Sequence, residues 1–129
     1  LKTEPNCYSY EDLTKDKQTF WDGVRNYQAR NNMRSMKKND ICYIYHSVGP
    51  KEIVGTAVVV KEFYQDPTTE DERWSVVNIK AKNKAKHPLK LESMKAHPVL
   101  RNMPLVKQSR LSVSPINEEE YQIIQDLIN

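Results

Sequence analysis

The sequence predicts an α+β domain, a small bent sheet or barrel of antiparallel or mixed strands with flanking helices. Three observations predict it. Three segments rich in Val, Ile and Tyr follow one another between residues 40 and 82 with turn-sized gaps, which argues for antiparallel neighbours. Helical signals bracket these segments, and no repeated βαβ unit is legible. The 129 residues are 38% apolar and 29% charged, the range of one globular domain with a single core over residues 1–129.

The elements follow in order. LKTEP at the start reads as the end of a strand. Ser9 is an N-cap, with Asp12 three residues on, for a short helix near residues 10–16. A second helix is expected from about Gly23 to Met36, ended by KKND. DICYIYHS, EIVGTAVVVKEFYQ and WSVVNIKAK read as strands, separated by VGP and DPTTEDE. Gly55 inside the second of them signals a bulge or a close backbone approach. LKLESMKAH is a short helix stopped before Pro98, and residues 99–106 look irregular. SRLSVSPI alternates Leu111 and Val113 against polar neighbours, as a half-buried strand does. In the last helix Asn117 and Glu120 form a capping-box pattern, with Ile116 and Tyr121 placed as a hydrophobic staple.

Composition also excludes. No apolar run approaches the ~18–20 residues of a membrane span, so no membrane partner is expected, and nothing reads as a signal peptide. Cys7 and Cys42 form no CxxC pair and read as free thiols of a reducing compartment. His46, His87 and His97 lack zinc-ligand spacing, so neither a metal nor a cofactor is expected. No phosphate-binding loop, GxSxG or HExxH motif is present, and no catalytic residue is assigned. The net charge of +3 permits a polyanionic partner without requiring one.

The unusual stretch is FWDGVRNYQARNNMR, residues 20–34. One Trp, one Tyr, three Asn and three Arg leave only Val24, Ala29 and Met33 as ordinary core formers. On a helical period Asn26, Arg30, Arg34 and Lys37 fall near one face. Such a stripe is either a solvated basic face or a row of cations that positions a nucleic-acid backbone without reading its sequence. Trp21 is either a core residue at the helix entry or, beside Asp22, Arg25 and Asn26, a polar-rimmed wall on which a base stacks. Tyr45, His46 and Ser47 close a strand, either as core edge or as the mouth of a pocket. Lys107 and Arg110 form a charged loop or a second phosphate clamp.

Six blocks carry a resemblance: KTEP (2–5), WDGVRNYQARNNMR (21–34), YHS (45–47), EIVGTAVV (52–59), DPT (66–68) and VKQSRLSV (106–113). Together, in one register over essentially the whole chain, they resemble the EVE domain. That resemblance implies a PUA-like fold, a small strongly bent β-barrel with flanking helices. It also implies a non-catalytic module that takes a modified cytosine or adenine of DNA, or of RNA, into a pocket. Carried over by position, the pocket draws on Lys2, Thr3, Glu4, Trp21, Asn26, Tyr27, Tyr45, His46 and Ser47, bordered by Ser109. Arg25, Arg30, Arg34, Lys37, Lys107 and Arg110 are then expected on the phosphates. Thr3 stands where the family pattern carries Ser, which keeps the hydroxyl and adds a methyl. A monomer is expected, in a bacterial cytoplasm or, in a eukaryote, the nucleus. Two other readings stand beside it: an enzyme acting on nucleic acid with His46 as acid or base helped by Ser47 or Glu4, and a protein- or small-molecule-binding module.

Overall fold

The computed structural model describes residues Leu1 to Asn129. One mixed sheet has the strand order β1-β3-β4-β5-β2. Its strands are β1 (Lys2–Thr3), β2 (Gln18–Phe20), β3 (Ile41–His46), β4 (Glu52–Gln65) and β5 (Ser75–Lys90). β1 runs parallel to β3, and the remaining pairs are antiparallel. The helices are α1 (Tyr10–Asp16), α2 (Tyr27–Arg34), α3 (Leu91–Ala96), α4 (Pro104–Lys107) and α5 (Glu118–Ile128).

The α+β class is as expected, with one refinement: the sheet curls strongly but is not a closed barrel. Its edges β1 and β2 span two and three residues, too short to close it by pairing. The curl has a local cause. Register shifts interrupt the β3–β4 pairing at Ile44/Tyr45 and the β4–β5 pairing at several points around Gly55 and Lys61, and each bulge bends its strand and sharpens the twist. β5 shows the result. Val77, Ile79, Ala85 and Leu89 share one parity, yet the first two lie in one core and the last two in another.

Those two cores explain the sequence of β3. Cys42 and Ile44 face the core covered by α1 and α2, while Tyr43 and Tyr45 face the core of Met94, Leu105 and Ile124 from α3, α4 and α5. A strand buried on both faces reads as a continuous apolar run, and ICYIYH does.

The helix ends follow their chemistry. Ser9 and Asp12 form a capping box at α1, and Asn117 and Glu120 form another at α5. α2 starts later than its polar-aromatic pattern suggests, at Tyr27, because Asn26 is its N-cap and accepts the Ala29 N–H. The third predicted strand continues to Lys90. Residues expected to be irregular hold a 3-10 turn, Leu100–Asn102, and the single turn of α4. SRLSVSPI is not a strand. Leu111 and Val113 are buried as the alternation implied, but Lys2 N–H to Ser112 O is the segment's bond to β1 and no ladder forms.

Gly55 is a close approach as well as a bulge. A Cβ there would overlap the Tyr10 ring at 2.5–2.8 Å. Gly55→Ala is therefore expected to cost about 1–3 kcal/mol by overpacking. An unchanged melting temperature would contradict this packing.

Candidate nucleic-acid interface

The predicted pocket residues fall into two groups with Trp21 between them. The first surrounds the β1–β3 pair. Ser47 N–H donates to Thr3 O, and the Ser47 hydroxyl donates to the same oxygen. The Thr3 hydroxyl donates to Tyr8 O at 2.6 Å, so it fixes the turn that follows β1. Lys2 Nζ donates to Ser109 O at 2.9 Å and to Gln108 O at 3.2 Å, with its cation 5.9 Å from the centre of the Tyr45 ring. Burial lowers its pKa. Lys2 thus tethers the 107–110 segment beside the first motif. Tyr45 is itself buried in the second core, whereas Glu4 is exposed beside Cys7.

His46 has a structural duty. Its Nε2 accepts the Tyr10 N–H at 3.1 Å and so satisfies an orphan donor in the first turn of α1. This requires a neutral ring with the proton on Nδ1. Burial pulls its pKa below the ordinary 6.5, against the opposing charges of Glu52 and Glu11. The folded state therefore binds fewer protons than the unfolded state just below that value. This contribution to stability is whole above pH 6.5 and is lost as pH falls through the folded pKa. His46→Gln keeps an acceptor that does not titrate. Its melting temperature is expected to fall less than the wild-type value on acidification through this window; parallel profiles would contradict the assignment.

Trp21 opens the second motif. Its N–H donates to Val77 O at 2.8 Å, which continues the edge pairing of β2 with β5. Gly23 then turns the chain with φ +78°, a left-handed conformation that costs Gly little. Trp21 is 8% exposed, and Tyr8 meets it edge-on at 6.0 Å and 81°. Burial and a hydrogen bond to Asp16 push the Tyr8 phenol up to about 12, so it stays a neutral donor. Trp21, Val24, Leu111 and Val113 share one core with half-buried Tyr8 against it. The first motif, the Trp21 loop and the 109–113 segment therefore converge over one face of the sheet.

The second group lies around the β4–β5 connection. Tyr27 is exposed and stacks on Trp74 at 5.3 Å. Arg25 and Arg73 each lie 5.7 Å from the Trp74 ring, and Arg30 lies 4.9 Å from Tyr27. Much of this cationic charge is spoken for. Arg25 pairs with the fully buried Asp66 at 2.9 Å, and Arg73 pairs with Asp71. Hydrogen bonds from Arg73 hold the Asp71 carboxyl down at about 2. Arg30 and Arg34 both donate to Arg73 O, and Arg34 also donates to the Ser75 hydroxyl. The expected stripe on α2 is thus largely a clamp on the β4–β5 loop. Asn26 is not part of it, since its side chain caps the helix. By contrast Lys37, Lys107 and Arg110 are exposed and make no ion pair.

Sequence reasoning missed Tyr8, Arg73 and Trp74, whose roles depend on contacts across the fold. It also passed over lysines at every second position from 80 to 86, a pattern legible in the sequence alone.

The model of the EVE domain family matches residues 1–127. The chain belongs to the EVE domain family. This EVE domain is 35% identical to chicken thymocyte nuclear protein 1, over 98% of this chain and 66% of the chicken protein. A protein from Agrobacterium tumefaciens superposes with a TM-score of 0.92 at 41% identity, over 95% of this chain and 86% of that one. The human THYN1 protein, solved in complex with 5-methylcytosine-containing DNA, superposes with a TM-score of 0.91 at 32% identity, over 100% of this chain and 95% of that one. The chicken comparison leaves a third of that relative's length unmatched. No helix of the EVE domain is long and apolar enough to cross a membrane.

Proposed function

We propose that this EVE domain is a non-catalytic reader of DNA, acting as one monomeric unit over residues 1–129, that takes a modified base, preferably a modified cytosine, into a pocket at the Trp21 loop. The observation that carries the reading is the likeness over the full chain to the human THYN1 protein bound to 5-methylcytosine-containing DNA. The convergence of the first motif, the Trp21 loop and the 109–113 segment supplies a place for the base. Trp21 and Tyr8 form the aromatic wall, and Thr3, Glu4, His46, Ser47 and Ser109 lie at its polar margin. Lys2 and Tyr45 support this margin and Asn26 caps α2 behind the Trp21 loop, while Tyr27 faces solvent on the arginine side.

Extruding a base costs a few kcal/mol. Aromatic contact, hydrogen bonds to the base edge and cations on the flanking phosphates offset that cost. Lys37, Lys107 and Arg110 are the free cations for this purpose, with Arg25, Arg30 and Arg34 adding charge from behind the β4–β5 loop. An acid–base role for His46 is disfavoured, because its Nε2 is occupied by the Tyr10 N–H.

The test is equilibrium binding to duplexes of one sequence carrying cytosine, 5-methylcytosine, 5-hydroxymethylcytosine or N6-methyladenine at one position. A methyl group in an apolar slot is worth ~1–3 kcal/mol, so a modified cytosine should bind on the order of tenfold or more tighter than cytosine. Equal affinity for all four duplexes would sink the base-reading claim.

A further inference from the structure

The geometry points to a second DNA contact, a lysine-lined groove between α1 and β5 that holds the phosphate backbone beside the extruded base. This rests on the proposed reading of DNA and adds a surface that the site above does not use. The groove has a volume of about 480 Å³ and is lined by Thr14, Lys15, Lys17, Lys80, Lys82 and Lys84, with Glu11 as its one carboxylate. Pairing builds it. Gln18 lies opposite Lys80, and Ala81 N–H donates to Lys17 O at 3.1 Å, so the end of α1 is laced to the middle of β5. Lys80, Lys82 and Lys84 all line the groove from β5, whose pairing with β4 slips by one residue between Ala81 and Lys84.

The electrostatics separate this groove from the arginine group. The ion pairs of the fold are Arg25–Asp66 and Arg73–Asp71, so none of the five lysines is neutralised. The residues around Arg25, Arg30, Arg34 and Arg73 include Asp66 and Asp71 and share a loop with Glu70 and Glu72. The five groove lysines therefore keep their charge unpaired, with Glu11 the one carboxylate in the lining.

The form of the groove selects the occupant. Seven of its nine lining residues are polar or charged and five of them are lysines, which suits an anion. Ammonium groups on flexible stems act as point charges and suit a phosphate backbone better than a fixed bidentate acid. Position agrees. Trp21 N–H bonds to Val77 O, and Lys80 lies three residues further along β5, about 10 Å away. A base held at Trp21 leaves its neighbouring phosphates within that reach.

The experiment compares wild type with the triple variant Lys80→Gln, Lys82→Gln, Lys84→Gln, using methylated and unmethylated duplexes over a series of salt concentrations. A second triple, Lys51→Gln, Lys90→Gln, Lys95→Gln, removes the same charge from exposed positions elsewhere. Each lost phosphate contact should lower the slope of log affinity against log salt by about 0.9. For the groove variant the slope is expected to fall by two or more, and affinity near 0.1 M salt by on the order of 100-fold, for both duplexes alike. Unchanged slopes, or equal losses in the second triple, would overturn the groove. The two readings fail separately: equal wild-type affinity for the two duplexes refutes base reading even if the slope falls, and a retained methyl preference with an unchanged slope refutes only the groove.

Discussion

Tyr10→Ala is expected to cost about 3–5 kcal/mol of folding stability, the range for truncating a buried aromatic. Tyr10 is 4% exposed and joins three parts of the molecule. Its ring lies against Gly55, its hydroxyl donates to Thr56 O at 2.7 Å, and its N–H donates to His46. Truncation empties the space over the bulge and leaves a buried carbonyl without its donor. A domain of this size is stabilised by ~5–15 kcal/mol in total, so the variant should lose a large part of its margin. Tyr10→Phe retains the ring and should cost only ~1–2 kcal/mol. Chemical denaturation of both variants separates the terms; equal small losses would mean that the ring is not the keystone.

Lys107→Glu with Arg110→Glu is expected to weaken DNA binding by on the order of 100-fold near 0.1 M salt. Both side chains are exposed and free of ion pairs, so the fold should survive reversal. Their backbone is held by Lys2, which bonds the carbonyls of Gln108 and Ser109 between them. Lys2→Met should therefore weaken binding with both cations intact, by loosening the segment that presents them. Titration of a fluorescent duplex, with a melting curve for each variant, checks this. Full affinity in the charge-reversed pair would remove the 107–110 segment from the interface.

What was legible in the sequence was chemistry confined to a few neighbouring residues. Ser9 with Asp12 and Asn117 with Glu120 are complete local motifs, and both caps form as written. ICYIYH read as a strand and is one, with Cys42 to Tyr45 buried. Other features depended on partners far away. β2 is three residues long with no periodic signal, and it exists because β5 offers Asn78–Lys80 as an edge. The end of β5 is polar for a strand because its second edge has no strand partner beyond Ala81, where Lys and Pro88 cost no ladder bond. The alternation at Leu111 and Val113 reported burial, which a loop can satisfy as well as a strand. For the proposed site, the ordered motif blocks pointed to Trp21 and to residues of the β1–β3 pair. They did not distinguish cations facing solvent from cations clamping a loop, because that difference is made by the carbonyl of Arg73.

The central claim is that a base leaves the duplex and enters beside Trp21. The direct measurement is the fluorescence of a 2-aminopurine placed next to a single 5-methylcytosine, which is quenched while its neighbour stays stacked. Binding of this EVE domain is predicted to raise that fluorescence strongly on the methylated duplex and weakly on the unmethylated one. Saturated binding of the methylated duplex with the signal still quenched would mean that the base stays stacked, contrary to the account.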